Sequence, residues 1–243
     1  MCIMATKYLT TNIMQKVKRN YLKKFIPRYW SNDELLKIVP YLSSNTRIIN
    51  VSGWEDKDKE GGCYRNYFNE RSVYHISNYP SDNVRGGLHY DIAIDLNKNL
   101  SKQYINSYDC VFNHTVLEHV IDPDFSFKQM SLLTEDIIIT VVPFKQKFHF
   151  ENDAFGDYYR FTPFTMRNLH DKNGFTILYE SYTPKPALDV YLFYVGSKQP
   201  EKHTSFPILF SDINHLNHKL GDFSAKALAK NIIARFAIKY LFR

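Results

Sequence analysis

Several features are scarce or missing in this sequence, and each absence narrows what the chain can be. Cysteine occurs only at Cys2, Cys63 and Cys110 in 243 residues. The set is odd, has no CxxC spacing, and puts Cys110 inside an apolar run. It reads as free thiols in a reducing cytoplasm, so we expect a cytoplasmic protein. No apolar run approaches the roughly 18 residues of a membrane helix. The longest, Ile137–Val142, is interrupted by Thr140 and stopped by Pro143. The opening residues, MCIMATKYLTTNIMQK, lack the basic start, apolar stretch and small-residue cleavage site of a secretory signal. A GxGxxG loop is absent, which argues against a nicotinamide-dependent dehydrogenase. Internal repeats and low-complexity tracts are absent too.

What remains is a globular chain. Its apolar fraction of 44% excludes wholesale disorder, and its length fits one α/β domain with additions. Charge is uneven. Residues 1–45 hold eight Lys/Arg against two Asp/Glu, residues 201–243 hold seven against three, and the middle holds sixteen against twenty. Basic ends attract nucleic acid, anionic lipid or acidic polysaccharide, or are simply solvated helix faces. We expect no nucleic-acid partner and no integral membrane segment.

Taken in order, residues 10–42 carry helical spacing, with Pro27 ending one helix. Ser31 or Asn32 then caps a second, Asp33 and Glu34 fall in its first turn, and Pro40 stops it. Strands are predicted at Arg47–Val51, Ser72–Ile76, Tyr90–Ile94, around Cys110–Phe112, at Asp136–Val142, and as a final antiparallel pair at Thr176–Tyr179 and Val190–Val195. Helices are predicted after Asp122-Pro123-Asp124, with Phe127, Met130, Leu132 and Leu133 as core face, and after Thr162-Pro163, stopping at Gly174. Ser224–Arg243 is helical by composition and packs on the domain or on a second subunit, so a homo-oligomer is possible. This gives a helical cap at 1–45, a central domain at 46–200 and a helical extension at 201–243.

Two stretches carry the chemistry. The first is YDCVFNHTVLEHV, Tyr108 to Val120, an apolar strand ending in small polar groups where open α/β sheets bind ligands. The second is Pro143 to Phe175: a proline after a strand, His149 six residues on, then DYYRFTP and a helix ending in NGF. Both resemble segments of class I S-adenosylmethionine (SAM)-dependent methyltransferases. The second, with DKEGGCYRNYF at Asp58 to Phe68, is similar to members encoded in bacterial surface-polysaccharide gene clusters. The resemblance spans Arg47 to Ser197. The chain departs from it after the first strand, where only Gly53 stands in place of a glycine-rich loop.

The resemblance implies a Rossmann-like α/β sandwich: a mostly parallel seven-stranded sheet, helices on both faces, and extra terminal helices. It implies SAM as cofactor and methyl transfer to a hydroxyl of a sugar, sugar nucleotide or polysaccharide in capsule or O-antigen synthesis. Ser52, Gly53 and Trp54 then form the cofactor loop. Asn78 replaces the acid that holds the ribose, or is a turn residue before Pro80. Asp95 and Leu96 meet the adenine, or Asp95 caps a helix. Asn113 and His114 lie beside the sulfonium. His149 is the candidate base, because a sugar hydroxyl is a poor nucleophile until its proton is removed. Asp157 orients it or holds an acceptor hydroxyl, and Tyr158 and Arg160 bind a ring or an acidic group of the acceptor. His149, Glu151, Asp153 and Asp157 suit a hard divalent ion, but the spacing is not diagnostic and no metal is expected. The rivals are a methyltransferase for another small acceptor and a non-catalytic binding protein that has lost its cofactor loop.

Overall fold

The computed structural model describes residues 26–70, 72–80, 90–152, 155–184, 189–207 and 209–211. The helix expected before residue 26 and the one expected at Ser224–Arg243 lie outside them. Among the described residues eight strands form one sheet: β1 Arg47–Val51, β2 Val73–Asn78, β3 Ile92–Ala93, β4 Tyr108–His114, β5 Thr134–Lys145, β6 Thr176–Tyr182, β7 Val190–Ser197 and β8 Leu209–Phe210. Their order is β3-β2-β1-β4-β5-β7-β6-β8. Strands β1 to β5 pair in parallel, and β7 lies antiparallel between β5 and β6. The short β8 pairs with β6 and adds an eighth strand to the seven expected. The chain winds outward from β1 to β3 on one side and from β4 on the other. The crevice between the carboxyl ends of β1 and β4 is therefore the switch point at which such sheets bind ligands.

Helices cover both faces. On one, α1 (Pro27–Ile38) contributes Trp30, Leu35 and Ile38 to a core with Ile48, Cys110, Phe112, Ile139 and Phe193. On the other, α2 (Pro123–Leu133) and α3 (Pro163–Lys172) bury Phe127, Met130, Met166 and Leu169 against Val51, Val111, Ile138 and Tyr194. A sheet buried on both faces needs near-continuous apolar strands, and β4, β5 and β7 have them. The caps follow the sequence: the Asp122 side chain accepts from Phe125 N at 3.0 Å, and that of Thr162 from Thr165 N at 3.2 Å. Beyond α3, Gly174 takes φ +76°, the left-handed conformation that glycine adopts without strain.

The helix α1 corrects the sequence expectation. Pro27 begins it, since its fixed φ suits a first turn where no N–H partner is needed. Ser31 and Asn32 are buried one turn further on and cap nothing. Asp33 and Glu34 are consequently outside the first turn. This helix falls within the cap expected at 1–45, yet it shares a core with the sheet. The register brings Arg28 and Ser31 to His114 and Thr115 at the carboxyl end of β4, and Asn32 to Asp58 and Glu60 in the loop after β1.

Candidate active site

A cavity of about 960 Å³ opens over the carboxyl ends of the parallel strands. One half is lined by Ser52, Gly53 and Trp54 after β1, Asn78 at the end of β2, and Ile94 and Leu96 after β3. The other half is lined by Arg28, Tyr64, His114, Thr115, Gln146 and Tyr191. His119, His149, Phe155 and Tyr158 stand along the rim.

The loop after β1 solves its lack of glycine in another way. Ser52, Trp54, Asp56 and Lys59 all adopt positive φ, between 50° and 66°. Non-glycine residues hold that conformation at a cost of roughly 1–3 kcal/mol each, and only where surrounding contacts over-determine it. Two buried acids supply those contacts. Asp56 accepts from Asn50 Nδ2 (2.9 Å), Tyr74 Oη (2.7 Å) and Arg65 N (2.9 Å). Asp58 accepts from Glu60 N (2.7 Å), Gly62 N (2.9 Å) and Tyr67 Oη (3.1 Å). The alternating run Glu55 to Glu60 is therefore an internal scaffold as much as a solvated surface. Gly53 is required for a different reason: a Cβ there would stand 2.5 Å from Asn50 Nδ2. Trp54 N donates to Asn78 Oδ1 (2.8 Å) and Trp54 O accepts from Asn78 Nδ2 (3.1 Å), so Asn78 pins the loop to β2.

The segment after β5 is held by Asp157 and Arg160. Arg160 commits all five of its N–H donors: to Gln146 O, Lys147 O, Tyr159 O and both oxygens of Asp157, Oδ2 at 2.7 Å. Burial would raise the Asp157 carboxyl, but the Arg160 guanidinium and the His149 backbone N–H hold it below the usual carboxylate range. His149 N donates to Asp157 Oδ2 at 2.8 Å, and His149 Nδ1 lies 3.4 Å from the same oxygen. His149 also meets His119 edge-on, ring centroids 4.9 Å apart. His119 Nδ1 lies 2.6 Å from Gly156 O, which makes Nδ1 the protonated nitrogen and leaves Nε2 with its lone pair. Burial depresses the His119 imidazole, so it stays neutral.

The residues expected from sequence divide clearly. Ser52, Gly53, Trp54, Asn78, Leu96, His114, His149 and Tyr158 all line this one cavity. Asp95 is not among the lining residues. Its Oδ1 accepts from Asn97 N at 3.0 Å and its Oδ2 pairs with Lys98 at 3.2 Å. Asn113 is fully buried and donates from Nδ2 to Val51 O at 3.0 Å, tying β4 to β1 beneath the cavity. Asp157 and Arg160 shape the rim segment from behind and do not line the cavity. Of the carboxylates weighed for a metal, Asp153 lies outside the described residues. Among the described residues no group of three or more His, Cys, Asp or Glu is placed to hold an ion. Sequence reasoning missed Arg28, Tyr64, Thr115, Gln146 and Tyr191. Arg28 carried one readable signal, its position next to a proline that can start a helix.

No protein-family model matches the sequence, and no curated protein matches it. Solved structures do. A Bacillus halodurans protein solved as a candidate methyltransferase shares 11% identity, with 69% of this chain and 98% of that one covered and a TM-score of 0.51. A SAM-dependent methyltransferase from Methanosarcina mazei shares 12% identity over 65% of this chain and 95% of its own, TM-score 0.45. Magnesium protoporphyrin IX methyltransferase from Synechocystis PCC 6803, with bound SAM, shares 13% over 63% and 70%, TM-score 0.43. Among the described residues no helix is long and apolar enough to cross a membrane. At these identities the likeness speaks to architecture, and the architecture is the mostly parallel, Rossmann-like sandwich of the class I methyltransferases.

Proposed function

We propose that this chain is a SAM-dependent methyltransferase acting on a hydroxyl of a sugar, in the synthesis of a bacterial surface polysaccharide. One observation carries the reaction class: the loop after β1 and the His149 segment after β5 wall the same cavity. That cavity sits at the switch point between β1 and β4, and its size is at the top of the range for cofactor sites. The residues present suit SAM. Ile94 and Leu96 offer apolar surface for a flat base, and the loop at Ser52–Trp54 presents backbone at close range. When bound, SAM would supply the methyl group. The carbohydrate acceptor rests on the sequence resemblance, supported by the exposed aromatic rim of Phe150 and Tyr158, surfaces on which a sugar ring can lie.

The geometry supports a role for each of the chain's own residues in this reading. Asp157 fixes the backbone of His149 and faces Nδ1, leaving Nε2 to take the proton of the attacking hydroxyl. Arg160 keeps Asp157 ionised and the rim segment in place.

Calorimetric titration with S-adenosylhomocysteine tests the cofactor, and micromolar binding is expected. No binding by a folded protein would favour a non-catalytic relative of the same fold. His149→Ala is expected to lower kcat by about a hundredfold, the lower end for a general base, with homocysteine-form cofactor affinity unchanged. The readout is methyl incorporation from labelled SAM into a panel of hexoses, hexuronates and their nucleotide-linked forms. Undiminished turnover in that variant would assign proton removal to another group.

A further inference from the structure

Arg28 is the side chain in this cavity with the least settled account. Its Nη1 donates to Tyr64 Oη (3.1 Å) and to His114 Nδ1 (2.6 Å), and its Nη2 donates to Thr115 Oγ1 (2.9 Å). All three acceptors are forced into that role by their own hydrogens. Tyr64 gives its hydroxyl hydrogen to Asn32 Oδ1 (3.1 Å), and Asn32 is itself held by Asp58 O and Glu60 Oε1 (both 3.0 Å). Thr115 gives its hydrogen to His114 O (2.8 Å). Ser31 donates to Arg28 O (2.9 Å), so it accepts from His114 Nε2 (2.8 Å), which leaves His114 Nδ1 as a lone pair. Burial and the neighbouring guanidinium hold that imidazole far below its ordinary value, so it brings no competing charge.

The guanidinium is thus locked by a complete neutral shell, and two of its five donors are left over. Nε–H and one Nη2–H have no acceptor among the described residues. Those two lie on one edge of the fork, the edge that takes both oxygens of a carboxylate or phosphate. No carboxylate among the described residues comes within ion-pair distance of Arg28, whereas Arg160 a few residues from the rim has all five donors filled. A charge removed from bulk water and lining a cavity calls for a counter-charge, and here the ligand must bring it. Tyr191 stands on the same wall. Its hydroxyl accepts from Gln146 Nε2 at 3.2 Å, which frees the O–H to donate into the cavity.

Location says which ligand. Arg28 is fixed to the end of β4 and faces β7, beyond the switch point from Ser52, Asn78 and Leu96. We propose that Arg28, with Tyr191 beside it, binds an acidic group of the acceptor, a carboxylate or a phosphate, so that the enzyme takes acidic rather than neutral sugars. This rests on the reading of the cavity as a methyl-transfer site, in which the half over β1 to β3 belongs to the cofactor. The cofactor's own carboxylate is the other source of the same chemistry.

Titrations separate the two. The probes are D-glucuronate, D-glucose and inorganic phosphate, each with and without S-adenosylhomocysteine, against wild type and Arg28→Met. Expected is binding of glucuronate or phosphate, but not glucose, to wild type, weakened at least about tenfold in R28M as befits loss of a bidentate pair. Affinity for S-adenosylhomocysteine should change less than about threefold, a small fraction of one bidentate contact. If R28M instead loses S-adenosylhomocysteine and keeps 5′-methylthioadenosine, which lacks the amino-acid end, Arg28 serves the cofactor and the proposal is overturned. Equal binding of the acidic probes by wild type and R28M overturns it too, as does their failure to bind wild type. Should R28M not fold, Arg28→Lys keeps the charge without the fork, and the same loss is expected. Failure of S-adenosylhomocysteine to bind while glucuronate still binds through Arg28 sinks the methyltransferase reading and leaves the anion site standing.

Discussion

Glu118→Gln is expected to gain stability over wild type as pH rises, by roughly 3–4 kcal/mol between pH 5 and 8. Glu118 is fully buried, and neither carboxyl oxygen has a hydrogen-bond partner among the described residues. Burial pushes its carboxyl from 4.5 up to about 8; Arg28 and Arg160 pull it back and Asp157 pushes further. The sign follows from linkage. The folded state holds this proton more tightly than the unfolded chain, so the stabilisation is complete below about 4.5 and is lost as pH rises through about 8. A glutamine keeps the shape and cannot ionise, so the variant escapes the loss. Three imidazoles, two of them buried and His119 partly so, tilt both proteins the other way. His114, His119 and His170 are depressed by burial, and stability falls as pH drops through their unfolded value of 6.5. His114 and His170 are common to both proteins and cancel, so the difference between variant and wild type reports Glu118 together with its neighbour His119, whose Nε2 lies 3.7 Å from Oε1. Urea midpoints at pH 5, 6.5 and 8 and constant ionic strength measure it, and parallel curves for the two proteins would refute the assignment.

The same residue shows what a linear reading can and cannot reach. Glu118 belongs to the LEH segment that marks the fold, and the apolar run before it made β4 legible. So did the runs that became β1, β5 and β7, because a strand buried on both faces has little freedom in composition. The caps at Asp122 and Thr162 were legible for the same local reason: the hydrogen bond closes within three residues. The shell of Arg28 was not. Its members come from α1, the loop after β1 and the end of β4, up to 87 positions apart. Each has an ordinary local explanation, so no window of sequence brings them together. Arg160 erred in the opposite direction. It looked available for an acceptor in a loop rich in charge, and the structure fills every donor it has with the loop's own backbone and Asp157. Asp95 likewise has a local account, since an acid two residues before Asn97 closes a turn on itself.

Asp56→Ala should destabilise the protein by about 3–5 kcal/mol and weaken S-adenosylhomocysteine binding by more than about tenfold. The sequence made Asp56 one of several alternating charges, and a solvated surface is the ordinary fate of such a run. In the fold its carboxyl is buried and receives Asn50, Tyr74 and the Arg65 backbone. Alanine removes the acceptor from two buried donors, Asn50 and Tyr74, and from the part-buried Arg65 N–H, and the buried pair is left to bear its desolvation. The loop has a second reason to fail. Four non-glycine residues between Ser52 and Lys59 are held in the left-handed region, and without an anchor they relax to ordinary conformations. The sheet beneath survives that relaxation better than the cavity wall does, so affinity should suffer in protein that is still folded. Asp56→Asn separates the two effects. Its remaining oxygen can keep Asn50 and Tyr74, while its amide faces the Arg65 N–H as a second donor, so its stability should fall between wild type and alanine. Urea unfolding and calorimetry on the three proteins decide the matter. A D56A protein that is destabilised yet binds S-adenosylhomocysteine as wild type does would mean that the strained loop supports the fold and that the cofactor is held from elsewhere in the cavity.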